Sequence, residues 1–140
     1  MMFDYHAAVR GAFFDISEVA ESADDIARQA RYLEDGVLFL RDGRIQALLP
    51  WQEGERFLHP QKGYRDLRGK LLLPGFVDAH VHYPQTEMIG AFGEQLLEWL
   101  TTYTFPVESQ FADADYAAEI AQFFVNQLLS HGTTTALVFC

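Results

Sequence analysis

The stretch Leu71-Leu72-Leu73-Pro74-Gly75-Phe76-Val77-Asp78-Ala79-His80-Val81-His82 joins an apolar run to a segment in which polar side chains alternate with small or apolar ones. Alternate side chains of a strand share a face, so Asp78, His80 and His82 are predicted to point the same way. Two imidazoles presented side by side suit a metal ion, although a His-x-His pair alone is more often surface or satisfied core, so its context carries the weight. Here the preceding run reads as a strand buried on both faces. A parallel strand whose last residues are ligands is the arrangement at the C-terminal mouth of an α/β barrel.

The surrounding composition fits a globular protein. With 140 residues, 49% of them hydrophobic, the chain can build one modest domain with a real core. No segment approaches the roughly eighteen uninterrupted apolar residues of a membrane span, and Met1-Met2-Phe3-Asp4-Tyr5-His6 lacks the basic-then-apolar pattern of a signal peptide. A soluble, cytoplasmic protein without a membrane partner is expected. The single cysteine, Cys140, excludes an internal disulfide and a Cys-rich zinc site. A formal net charge of -10 argues against nucleic acid, whose phosphates need clustered Lys and Arg. All ten Lys and Arg lie at or before Lys70, and this break in composition marks a domain boundary, 1–70 against 71–140.

The first half reads as short strands and turns. Val9 to Ile16 alternates loosely as a strand, and Ser22 with Asp25 makes a capping box for a helix running to about Tyr32. Val37–Arg41, the turn Asp42-Gly43, and Arg44–Leu49 have the residue types of a hairpin closed by a type I′ turn. Pro50 to Arg68 is predicted as loop or edge strand, and Lys62, Arg65, Arg68 and Lys70 as a solvated basic face. In the second half a long connection follows Tyr83, with a short helix from Glu94 to Tyr103 that Pro106 is expected to stop. A longer helix starts near Asp113 or Asp115 and runs to Ser130, with Gly132 as its C-terminal glycine. Thr133–Phe139 then reads as another buried strand. Strand, loop, helix and strand form the start of a parallel α/β unit.

These residues carry a resemblance. LPGFVDAHVH resembles the first barrel strand of the amidohydrolase superfamily, where a His-x-His pair at the strand end binds a catalytic metal. HVHYPQ, LLEWLTTYTFPVE and HGTTTALVF together are similar to the guanine deaminase family within it, strongly over residues 70 to 140 and only in style before that. The resemblance implies an α/β fold in which 71–140 is the first strand-helix-strand of a (β/α)8 barrel and 1–70 supplies N-terminal strands of a β-sandwich domain, both incomplete in this chain.

It further implies hydrolysis of guanine to xanthine and ammonia on a metal, with zinc as cofactor and iron as the alternative that His and carboxylate sites also accept. His80 and His82 become the first two metal ligands. His82, Tyr83, Pro84 and Gln85 become one wall of a purine pocket, in which the amide of Gln85 matches the mixed edge of guanine. Asp78 is placed either to orient a ligand or to be satisfied by backbone, and Trp99 either against the base or in packing. The other zinc deaminase class needs a Cys-containing ligand set and an H-x-E motif, which are not found here. Eight strand-helix units take about 250 residues, so this chain resembles the N-terminal portion of an enzyme whose other ligands, acid-base carboxylate and purine-gripping arginine lie in later strands. Alone it is expected to be inactive, and full-length members of the family are expected to be homodimers. An amidohydrolase for an oxidised purine, cytosine or a triazine, and a noncatalytic scaffold, are the alternatives.

Overall fold

Asp42 and Gly43 take φ of 50° and 72°, the pair of left-handed residues that a two-residue type I′ turn demands. They join β2 (Ala30–Arg41) to β3 (Arg44–Pro50) in an antiparallel hairpin with Arg41 opposite Arg44. β1 (Ala7–Ile16) lies antiparallel on the other side of β2, and β4 (Arg65–Leu72) runs parallel to β1 as an edge, for a sheet order of β3-β2-β1-β4. The computed structural model describes residues 4–16, 18–93 and 95–140. They form two compact units, one up to Pro74 and one from Gly75.

In the first unit, Val37 and Phe39 share one face of β2 and are fully buried with Tyr5 and Ala8. Ala47, Leu49, Trp51, Phe57 and Leu58 close over them. The Tyr5 ring meets Phe39 edge-on at 5.1 Å, and its hydroxyl accepts from the His59 N–H at 2.7 Å. That bond ties down the segment of α2 (Trp51–Gly54) and the 3₁₀ turn Glu55–Phe57. Lys62 Nζ donates to the Tyr5 carbonyl at 2.6 Å, so this lysine is held by the fold and not merely solvated. Ser22 caps α1 (Ala23–Gln29) by accepting from the Asp25 N–H at 3.1 Å. The helix ends before Tyr32 because Arg31, Tyr32 and Leu33 pair with Asp15, Phe14 and Phe13 of β1. Sheet pairing overrides the local helical preference there.

The second unit pairs β5 (Phe76–His82) with β6 (Thr133–Phe139) in parallel, joined through α5 (Ala114–Ser130). Asp113 caps α5 by accepting from the N–H groups of Asp115 and Tyr116 at 2.9 and 3.2 Å. Gly132 leaves the helix at φ 88°, as a residue just past a helix end often must.

Two sequence expectations are corrected here. Leu71 to Val77 is not one strand buried on both faces: Leu71 and Leu72 finish β4 opposite Ala12 and Phe13, and β5 begins only at Phe76. Pro74, with no N–H to give a ladder, separates the two strands. Val77 is 71% exposed, because among the described residues β5 pairs with β6 alone. Nor does Pro106 stop a helix. α3 (Leu96–Trp99) widens into a π turn at Leu100–Thr104 and continues as α4 (Phe105–Ser109) and a 3₁₀ turn to Ala112. Pro106 sits in the first turn of α4, where its missing N–H is tolerated, and the π turn absorbs the mismatch upstream. Glu94, the expected start of that helix, lies outside the described residues. No helix among the described residues is long and apolar enough to cross a membrane.

Candidate active site

The alternation of β5 places His80 and His82 on one side, their Nε2 atoms 3.1 Å apart. The parallel register sets Phe139, at the end of β6, opposite His82. Its ring lies 4.6 Å from that of His80 and 5.4 Å from that of His82, within 30° of parallel to both. Asp78 turns its carboxylate to the His80 backbone N–H, accepting at 3.0 Å. Of its two expected roles, satisfaction by backbone is the contact present.

The histidine pair fits a metal. Nitrogens 3.1 Å apart can both reach one ion at about 2.0–2.1 Å. Among the described residues no group of three or more His, Cys, Asp and Glu converges on such a point. Among the described residues, His80 and His82 are the candidate pair.

After His82 the chain turns into a 3₁₀ helix, Tyr83–Met88. With three residues per turn, His82, Gln85 and Met88 stack on one side while Tyr83 and Pro84 point elsewhere. A cavity of about 350 Å³ opens there, lined among others by His80, His82, Gln85, Met88, Trp99 and Phe124. Of the four residues expected to form one wall, His82 and Gln85 line this cavity and Tyr83 and Pro84 do not. The Tyr83 ring packs edge-on against Phe111 at 5.2 Å and near Phe124 at 6.1 Å, and Pro84 is buried. Trp99 does face the cavity, fixed by donation from Nε1 to the Ala91 carbonyl at 3.0 Å. Gly93 permits this: a Cβ there would stand 2.7 Å from Trp99 Cβ. Behind the wall, Gln85 Nε2 donates to Glu108 Oε1 at 3.0 Å. On the flank, the Tyr116 hydroxyl donates to the Glu87 carboxylate, which pushes the phenol up to about 12.

Phe139 and Glu108 were missed in the sequence. Phe139 could have been found by pairing the ends of the two strands in parallel. Glu108 lies 23 residues from Gln85 with no shared periodicity, so only the folded chain brings them together.

Residues 71–139 match the amidohydrolase family, and the chain shares the mixed α/β fold of a solved member. Over nearly the whole chain a narrower likeness holds. It is 49% identical over 132 residues to the guanine deaminase of Escherichia coli (strain K12), an alignment covering 94% of this chain and 30% of that protein. The solved structure of E. coli guanine deaminase matches with a TM-score of 0.89, over 95% of this chain and 31% of that one. A guanine deaminase from C. acetobutylicum, solved with bound guanine in the active site, matches at 25% identity with a TM-score of 0.75, over 95% and 29% of the two chains. The chain is a partial homologue of guanine deaminase, spanning about 30% of the length of the E. coli relative.

Proposed function

We propose that the protein to which this chain belongs is a metal-dependent guanine deaminase. In this proposal β5 and β6 are the first two strands of a (β/α)8 barrel, and the N-terminal sheet is part of a β-sandwich. The convergence of His80 Nε2, His82 Nε2 and Gln85 on one cavity carries the proposal, supported by the 49% identity to the E. coli enzyme and by the guanine bound in the C. acetobutylicum relative.

The reaction breaks the bond from C2 of guanine to its exocyclic nitrogen and forms a C2–O bond from water, releasing ammonia. When bound, zinc or iron supplies an acidified water and polarises the reacting group. His80 and His82 would hold the metal through their Nε2 atoms, with Phe139 packed along both rings. Gln85 hydrogen-bonds the heterocycle edge, and Trp99 and Met88 give it an apolar wall that excludes bulk water. Further ligands and the proton-transfer groups come from outside this chain.

The test is xanthine and ammonia formation from guanine by the zinc-loaded full-length protein. His80→Ala and His82→Ala should each reduce bound zinc and abolish turnover, and the 140-residue chain alone should give none. A zinc-loaded full-length protein that leaves guanine unchanged overturns the assignment.

A further inference from the structure

A side-chain amide has a donor end and an acceptor end of nearly the same shape, and only its neighbours decide which faces a ligand. Gln85 has such a neighbour. Its Nε2 donates to Glu108 Oε1 at 3.0 Å, and an ionised carboxylate can only accept. Turning the amide over would set Gln85 Oε1 against a carboxylate oxygen, two acceptors with no proton between them. Gln85 lines the cavity and Glu108 does not, so the amide is anchored by its nitrogen from outside the cavity. Both side chains are partly buried, where such a charge-assisted bond is stronger than in water. Glu108 sits on α4 just beyond the π turn and Pro106, which set the face that α4 presents.

We propose that Glu108 is a positioning residue that holds Gln85 with its carbonyl Oε1 as the acceptor offered to the ligand. The cavity thereby selects a heterocycle edge that donates N–H. This rests on the guanine deaminase function proposed above, and guanine, with a ring N–H and an exocyclic amine, has such an edge.

In the full-length, zinc-loaded protein, Glu108→Ala lets the amide turn and raises KM for guanine about tenfold, the worth of one hydrogen bond, with kcat within about twofold. Gln85→Ala raises KM similarly. The double variant is no worse than Gln85→Ala alone, since Glu108 acts only through Gln85. Glu108→Gln can meet either end of the Gln85 amide, so it no longer fixes the orientation and leaves KM raised, between the original and Glu108→Ala. Additive effects in the double variant, or a fall in kcat at unchanged KM, would overturn the proposal.

A second readout needs no substrate. With selective ¹⁵N-glutamine labelling, the side-chain resonance that disappears in Gln85→Ala should move in Glu108→Ala; an unmoved resonance overturns the positioning role. A resonance that moves in a protein inert toward guanine places the failure in the enzymatic assignment. Guanine turnover with KM and resonance both indifferent to Glu108 places it in the positioning role.

Discussion

Phe139 shows how a side chain with no metal-binding atom can orient a candidate pair of ligands. A ligand pair binds well when its lone pairs are already aimed, and here both imidazole rings lie nearly parallel to one phenyl ring, at 4.6 and 5.4 Å. Removing that ring leaves His80 and His82 free to turn about χ2. Phe139→Ala in the full-length protein should therefore weaken zinc binding about tenfold, at the low end of what lost orienting partners cost. Competition with a chromophoric chelator measures this, and Phe139→Leu, which keeps most of the volume, should fall between. Affinity equal to the original in Phe139→Ala would show that the strand alone aims the histidines. The pair itself could be read from Asp78 to His82, because period-two alternation needs no tertiary knowledge. Tyr83 and Pro84 could not be placed so readily. Their exclusion from the cavity wall follows from a 3₁₀ turn after His82, which one pattern of residues does not distinguish from an extended continuation.

The elements show where local pattern suffices and where it fails. The Asp42-Gly43 hairpin, the Ser22 and Asp113 caps and the Gly132 helix exit were all readable, since each is decided within four residues by a turn dihedral or a side-chain acceptor. The division of Leu71–His82 between β4 and β5 was not, because Leu71, Leu72 and Leu73 before Pro74 and Gly75, and Phe76 and Val77 after them, are apolar and only the partners β1 and β6 separate the two strands. Gly75 at that junction has a packing reason: a Cβ would stand 1.9 Å from Thr134 Oγ1, on the strand that pairs with β5. Gly75→Ala must push Thr134 aside at the very start of the parallel ladder. It should destabilise the β5–β6 unit by about 1–3 kcal/mol, the usual cost of overpacking, seen as a lower urea midpoint. Thr134→Gly in the same chain should recover part of the loss; no recovery would mean the strain lies in the backbone.

Across the molecule, charge and apolar surface set the conditions under which it persists. Asp35 is held below the usual carboxylate range by the Arg10 guanidinium, which it meets at 2.8 and 2.6 Å and which also stacks 3.6 Å over Trp51. Asp66 is lowered to about 2 by Arg68. The folded values lie under the unfolded value of about 3.9, so the stabilisation is complete above pH 4 and is lost as pH falls toward 2. The Asp66–Arg68 pair is exposed and spans two residues, so it survives partly in the unfolded chain and contributes less. Asp35→Asn should therefore lower stability at pH 7 and flatten its decline as pH falls below about 4, followed by Trp51 fluorescence in a Trp99→Phe background. A decline as steep as the original would assign acid sensitivity elsewhere.

The apolar surface argues on a larger scale. Among the described residues β5 and β6 pair only with each other, and Phe76, Val77, Leu137 and Val138 stay exposed along them, with Phe123 and Leu129 exposed on α5. Two strands cannot bury themselves, and contiguous apolar surface of this kind drives association. The 140-residue chain alone should therefore self-associate at micromolar concentration, its light-scattering mass rising with concentration, whereas the full-length protein holds a constant mass. Aspartate at Val77 and Leu137 together should lower the mass of the short chain toward the monomer. A short chain that is monomeric without those substitutions would mean the exposed strands find cover within one molecule.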